Sequence, residues 1–164
     1  MTTGTKIRRA RLQRGLTQKQ FGILLGFEEK SADVRVAQYE NDTRNPKNDL
    51  LNKMAEVLDI NVKSLKVDQD SVYGEDLMFA LFDIEDNFHI RIRETPDESL
   101  PDEAYRGIEF TNEFINSCMK EWKVRMEQYW AGEITEKEYL EWKLNWPDTI
   151  DDCGKHAPKK KWKS

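Results

Sequence analysis

The sequence predicts a mainly α fold: a five-helix bundle in the first 66 residues, then a small α+β unit built from a helix, a short strand or hairpin, and a long amphipathic helical hairpin. Three observations predict it. Apolar residues recur three and four apart in segments that stop at Gly15, Gly26 and Gly132, where a helix C-terminus accepts glycine. Thr17-Gln-Lys-Gln20 and Thr135-Glu-Lys-Glu138 have the Thr-x-x-Gln/Glu form in which side chains and backbone N–H groups cap each other. Phe88, Ile90 and Ile92 alternate with His89, Arg91 and Arg93, the period of a strand with one buried side.

Helix one is expected over about Thr5 to Arg14, with Ile7 and Ala10 on its inner face, and helix two over about Gln18 to Leu25, burying Phe21, Leu24 and Leu25. Ser31 can cap a third helix that runs to about Glu40 with Val36 and Tyr39 inward. Pro46 marks the next turn, Asn48 or Asp49 can cap a fourth helix carrying Leu50, Leu51, Met54, Ala55 and Leu58, and Val62 with Leu65 reads as a short fifth. The polar stretch 67–73 reads as a linker. Beyond it, Leu77, Met78, Leu81 and Phe82 share one helical face before the strand at Phe88 to Arg93. Residues 94–107 contain Pro96 and Pro101 and cannot form a central strand, and Ile108 to Phe110 can pair back as a short second strand. Phe114, Cys118, Trp122, Met126 and Tyr129 then define a long helix, and Tyr139, Trp142 and Trp146 continue a last one that Pro147 ends. Residues 74–147 form the expected second domain, and 148–164, with no periodicity and a Lys-rich end, a basic flexible tail.

Charge is uneven. Residues 1–66 hold 13 Lys and Arg against 8 Asp and Glu, residues 67–154 hold 8 against 23, and residues 155–164 hold 5 against none. A basic first third and an acidic middle imply units with different partners, the first suited to a polyanion. No apolar run reaches the roughly 18 residues of a membrane span, and the first residues lack the basic-then-apolar pattern of a secretory signal, so no membrane partner and a cytoplasmic location are expected. Two cysteines are too few for a disulfide framework. Cys153 and His156 lie close in sequence, but a metal needs about four ligands and only His89 and Cys118 remain, so no metal and no cofactor are expected. Carboxylates are scattered through loops, and no Walker loop, serine elbow or zinc-protease helix occurs; no enzymatic activity is expected.

Five motifs follow one another in order: Ile7-x-x-Ala10-Arg11-x-x-Arg14-Gly15-Leu16-Thr17-Gln18, Leu25-Gly26, Gln38-Tyr39-Glu40-Asn41, Arg44-Asn45-Pro46, and Leu51-x-x-Met54-Ala55-x-x-Leu58. On these, residues 4–65 resemble the Cro/repressor-type, XRE-like helix-turn-helix family of bacterial and phage transcription regulators. The stretch from Gly26 to Glu40 is similar to bacterial regulators that carry a C-terminal extension like this one. The resemblance implies a lambda-repressor-like bundle whose third helix enters the major groove of double-stranded DNA. It also implies that Arg11 and Glu40 pair inside the domain, and that Asp33, Val34 and Arg35 face the groove. Gly26 to Tyr39 is about four residues longer than the family pattern, so either the turn is lengthened or the third helix starts earlier, which bears on Ser31 and Lys30 as well.

The residue chemistry agrees with those roles. Arg35 and Gln38 carry a guanidinium and a carboxamide, the groups that contact guanine and adenine edges in pairs of hydrogen bonds, while Val34 suits a thymine methyl. Asp33 is an acceptor for cytosine or the helix cap; Ser31 completes the expected base-reading set. Thr17, Gln18, Lys30, Asn41, Arg44 and Lys47 are expected on phosphates. The aromatic stripe Phe114, Trp122, Met126, Tyr129, Trp130, Tyr139 and Trp142 is expected to be core or a homodimer interface. The expected function is a sequence-specific transcriptional regulator, a repressor, acting as a dimer. The alternative is an antitoxin-like protein whose acidic, aromatic C-terminal half binds a partner protein while the N-terminal domain autoregulates.

Overall fold

The computed structural model describes residues 2–66, 74–97 and 100–163. The chain divides into two units: unit 1 comprises Met1–Ser71 together with Gln128–Ser164, and unit 2 is Val72–Glu127. The expected linker at 67–73 lies outside the described residues.

Unit 1 contains α1 (Thr3–Gln13), α2 (Gln18–Leu24), α3 (Ala32–Glu40), α4 (Asn48–Val57), a 3-10 turn at Val62–Ser64, and α7 (Glu136–Leu144). Thr2 accepts the Thr5 N–H and caps α1, and the Thr17 and Thr135 capping boxes close on Gln20 and Glu138. Gly15 leaves α1 at φ +67°, the left-handed region in which a side chain is strained. Ile7, Phe21, Val36, Met54, Leu58 and Leu65 are fully buried at the centre of the core. Leu24, expected inward, is instead 53% exposed, whereas Leu25, four residues after Phe21, lies on the same side as Phe21 and is buried.

Residues 128–164 depart from the expected division. Leu140 and Leu144 of α7 belong to the same buried cluster as Ile7 and Leu58. Arg14 makes two hydrogen bonds to Glu141, at 2.6 and 3.0 Å, and donates to Leu58 O. Asn61 donates its backbone N–H to Leu144 O and its amide to Trp146 O. Nor are the described residues 148–163 a loose tail: Thr149 is fully buried and donates to Trp142 O, Trp162 is buried, and Lys160 pairs with Asp59 at 2.7 Å. Low periodicity reflects a segment of turns held by side chains rather than an absence of structure.

Unit 2 contains α5 (Gly74–Phe88), β1 (Ile90–Asp97), β2 (Leu100–Phe110) and most of α6 (Glu113–Trp130). The strands pair antiparallel, with Ile90 opposite Phe110 and Ile92 opposite Ile108, so these four side chains share one face. The hairpin is longer than expected: β1 continues through Pro96 and β2 begins at Leu100. In a two-stranded sheet both strands are edges, and an edge tolerates proline on its open side. Arg93 and Glu109 pair diagonally, and Arg106 pairs with Glu94 directly opposite.

Candidate nucleic-acid interface

The close crossing of α2 and α3 sets the site. Gly22 lies against the first turn of α3, and a Cβ there would come within 2.6 Å of Ala32 O, so a residue without a side chain is required. Ala32, Val36, Tyr39 and Glu40 form the buried side of α3. The four additional residues before α3 lie in the turn: seven residues, 25–31, separate the two helices, with Phe27 N–H donating to Gly22 O and Ser31 N–H to Glu28 O.

A buried ion pair fixes α3 at its far end. Arg11 Nε lies 2.5 Å from Glu40 Oε1 and Nη2 lies 3.0 Å from Oε2, while Nη1 donates to Leu16 O. Gln18 donates its amide to Glu40 Oε2 at 2.9 Å. Three elements thus converge on one carboxylate, which satisfies its oxygens where water is excluded. Asp42, at φ +56°, accepts from Gly4 N–H and from the Thr2 hydroxyl, tying the loop after α3 to the start of α1.

The outward side of α3 carries the expected reading residues. Asp33 is exposed, Val34 is 55% exposed, and Arg35 and Gln38 are half-buried. Arg35 holds its guanidinium 4.0 Å over the Phe27 ring, and Phe27 stacks on Tyr39 with centroids 6.4 Å apart. Ser31 is half-buried at the helix start, makes no side-chain cap, and directs its hydroxyl to Glu28 O at 3.4 Å. Phe27 was not singled out in the sequence, since an aromatic in a polar turn reads equally well as surface. Lys19 and Glu29 pair at 2.8 Å; this hydrogen bond holds the Lys19 ammonium above its ordinary range and the Glu29 carboxyl below.

Of the expected phosphate contacts, Lys30, Asn41, Arg44 and Lys47 are exposed around the ends of α3 and the following loop. Arg44 is held in place by its N–H to Gln38 O and by its guanidinium 6.0 Å from the Tyr39 ring. Thr17 is exposed, with its hydroxyl engaged in the capping box. Gln18 is the departure: its amide serves Glu40 rather than solvent.

The expected dimer stripe is not one surface. Tyr139 and Trp142 are buried within unit 1, where Tyr139 stacks between Tyr129 and Trp142 at 5.2 and 6.3 Å. Tyr129 and Met126 are half-buried, whereas Phe114, Trp122 and Trp130 are exposed. Cys118, expected to be buried, is half-buried, and loss of hydration with the nearby Glu121 charge pushes its thiol up. Among the described residues no group of three His, Cys, Asp or Glu is placed to hold a metal, and no helix is long and apolar enough to cross a membrane.

Residues 7–65 match the family described as Helix-turn-helix. This segment is a helix-turn-helix domain. The chain is also similar to a solved structure, that of the transcriptional regulator BswR, at 30% identity over 52% of this chain and 94% of that one, with a TM-score of 0.39. No curated protein matches. Within the helix-turn-helix domain, the Arg35–Phe27 stack makes Phe27→Leu informative. The cation–π contact is worth about 1 kcal/mol, so affinity for a preferred duplex is expected to fall about 5-fold with little change on unrelated duplexes, read by fluorescence anisotropy. Equal losses on every sequence would assign Phe27 to the fold alone.

Proposed function

We propose that the protein is a sequence-specific DNA-binding transcriptional regulator, a repressor, that lays α3 in the major groove and works as a dimer on two half-sites. One observation carries this reading: α3 is fixed by its inner side, through Ala32, Val36, Tyr39 and the Arg11–Glu40 pair, and leaves Val34, Arg35 and Gln38 on its outer side. A rigid helix with a guanidinium and a carboxamide outward meets the requirement for direct readout. Lys30, Asn41, Arg44 and Lys47 flank it as phosphate contacts that set register without reading sequence. Asp33, in the first turn, favours the helix dipole and is repelled by phosphate, which ranks it below Arg35 as a base contact. Two copies are invoked because one small domain makes few base contacts and gains little over nonspecific binding.

Selection of bound duplexes from a random pool by the full chain tests the reading. The expected consensus is a pair of inverted half-sites spaced by about 10 base pairs or a multiple of it. A pool that retains no shared sequence after repeated rounds would overturn it.

A further inference from the structure

The side chains expected on phosphates at the start of α2 are engaged inside the domain. The Thr17 hydroxyl closes the capping box with Gln20, and the Gln18 amide is given to the buried Glu40. Lys19 follows them, the one charged residue of α2, with its side chain 52% exposed. Its ammonium lies 2.8 Å from Glu29 Oε1, and Asp33 in the first turn of α3 adds to the negative field upon it. Lys19 thus faces the end of α3 that carries Asp33 and Val34. Glu29 comes from the lengthened turn between the two helices, 25–31, and no other part of the domain supplies a printed ion pair to Lys19. A carboxylate is an unexpected group beside a helix offered to a polyanion.

We infer that Glu29 stands in for a DNA phosphate: the lengthened turn holds its carboxylate on the Lys19 ammonium, and a duplex has to displace it before Lys19 takes a backbone phosphate. Carboxylate and phosphate oxygens are the same kind of acceptor for an ammonium, so one can replace the other without moving the helix. The exchange is easy because both side chains are exposed, and an exposed pair is weak and screened by salt. It is still large enough to set affinity, since competition of that strength lowers binding about 2- to 5-fold. A phosphate contact reads no base, so the reduction falls on every duplex alike. This rests on the reading of α3 as the helix in the groove, and adds to it a phosphate contact, Lys19, and a built-in competitor for that contact, Glu29. A carboxylate near DNA also weakens binding by repulsion alone. Glu28, the exposed neighbour of equal charge, separates the two effects.

Fluorescence anisotropy of the full chain on a selected duplex and on an unrelated one, from about 50 to about 300 mM salt, tests this. Glu28, Glu29 and Lys19 are all exposed, so their variants are expected to keep the wild-type fold. Glu29→Gln keeps the length of the side chain and removes its charge. It is expected to tighten binding to both duplexes about 2- to 5-fold beyond any gain from Glu28→Gln at the low-salt end, and by less at the high-salt end. Lys19→Ala is expected to weaken binding to both and to reduce the magnitude of the salt slope by about 1. Combined with Lys19→Ala, Glu29→Gln is expected to gain no more than Glu28→Gln does, because the cation it frees is gone. Equal gains from Glu28→Gln and Glu29→Gln in the wild-type background overturn the inference and leave Glu29 as one more repelled charge. A Glu29→Gln gain that persists without Lys19, or a salt slope unmoved by Lys19→Ala, overturns it as well. Each of these outcomes leaves sequence preference as it was, so the reading of α3 survives them. That reading fails instead on a chain that prefers no sequence over another, and a chain that binds no duplex overturns both.

Discussion

Glu40→Ala is expected to unfold, or nearly unfold, the DNA-binding bundle. The substitution leaves the Arg11 guanidinium buried with Leu16 O as its remaining hydrogen-bond acceptor and takes from Gln18 the oxygen it donates to. Breaking a buried pair by removing one partner costs about 3–5 kcal/mol, against a total stability of about 5–15 kcal/mol for a domain. The double variant Arg11→Met with Glu40→Leu removes both charges and is expected to recover much of the loss, because the penalty lies in the orphaned charge rather than in the lost attraction. Urea unfolding followed by circular dichroism measures both. A single variant as stable as the wild type, or a double variant no better than the single, would contradict the assignment.

The second large effect is expected from the C-terminal segment. Ending the chain before Gln128 removes Leu140 and Leu144 from the cluster around Ile7 and Leu58, and removes the Glu141 partner of Arg14. Burying a leucine contributes about 1.5–3 kcal/mol, so two of them match a large part of what holds a small bundle folded. The truncated chain is therefore expected to lose its cooperative thermal transition or to melt far below the full chain, and Leu140→Ala in the full chain to cost about 2–5 kcal/mol. Calorimetry on the three proteins decides this. An undisturbed transition for the truncated chain would show that α7 is an accessory and not part of the core.

Much of the bundle was legible because its signals are local. Gly15 and Gly26 end helices, Thr17 begins one, and the spacing of Val36 and Tyr39 gives the inner side of α3. What was not legible depends on distant partners. Tyr139 and Trp142 lie on an amphipathic pattern equally suited to a dimer seam, and nothing within the pattern says that the same helix puts Leu140 and Leu144 in one cluster with Ile7 and Leu58, more than eighty residues earlier. Gln18 is a plausible phosphate ligand until Glu40 is seen beside it. The prolines at 96 and 101 argue against a central strand, which holds: Pro96 still pairs with Ala104 in a hairpin with two open edges, but the register shifts just beyond it. In the candidate interface, residues counted back from Tyr39 were easier to place than Ser31 or Lys30, because the additional four residues lie in the turn ahead of them.

The central claim is that the outer side of α3 reads base edges. Its most direct test is the affinity of wild type, Gln38→Ala and Arg44→Ala for a selected duplex and its single-base variants across a salt series. Gln38→Ala is expected to lose about 1–3 kcal/mol on the selected duplex, to cease discriminating at one base pair, and to keep the wild-type salt slope. Arg44→Ala is expected to weaken all duplexes alike and to reduce the slope by about 1. Discrimination that is untouched by Gln38→Ala and by Arg35→Ala would contradict the claim.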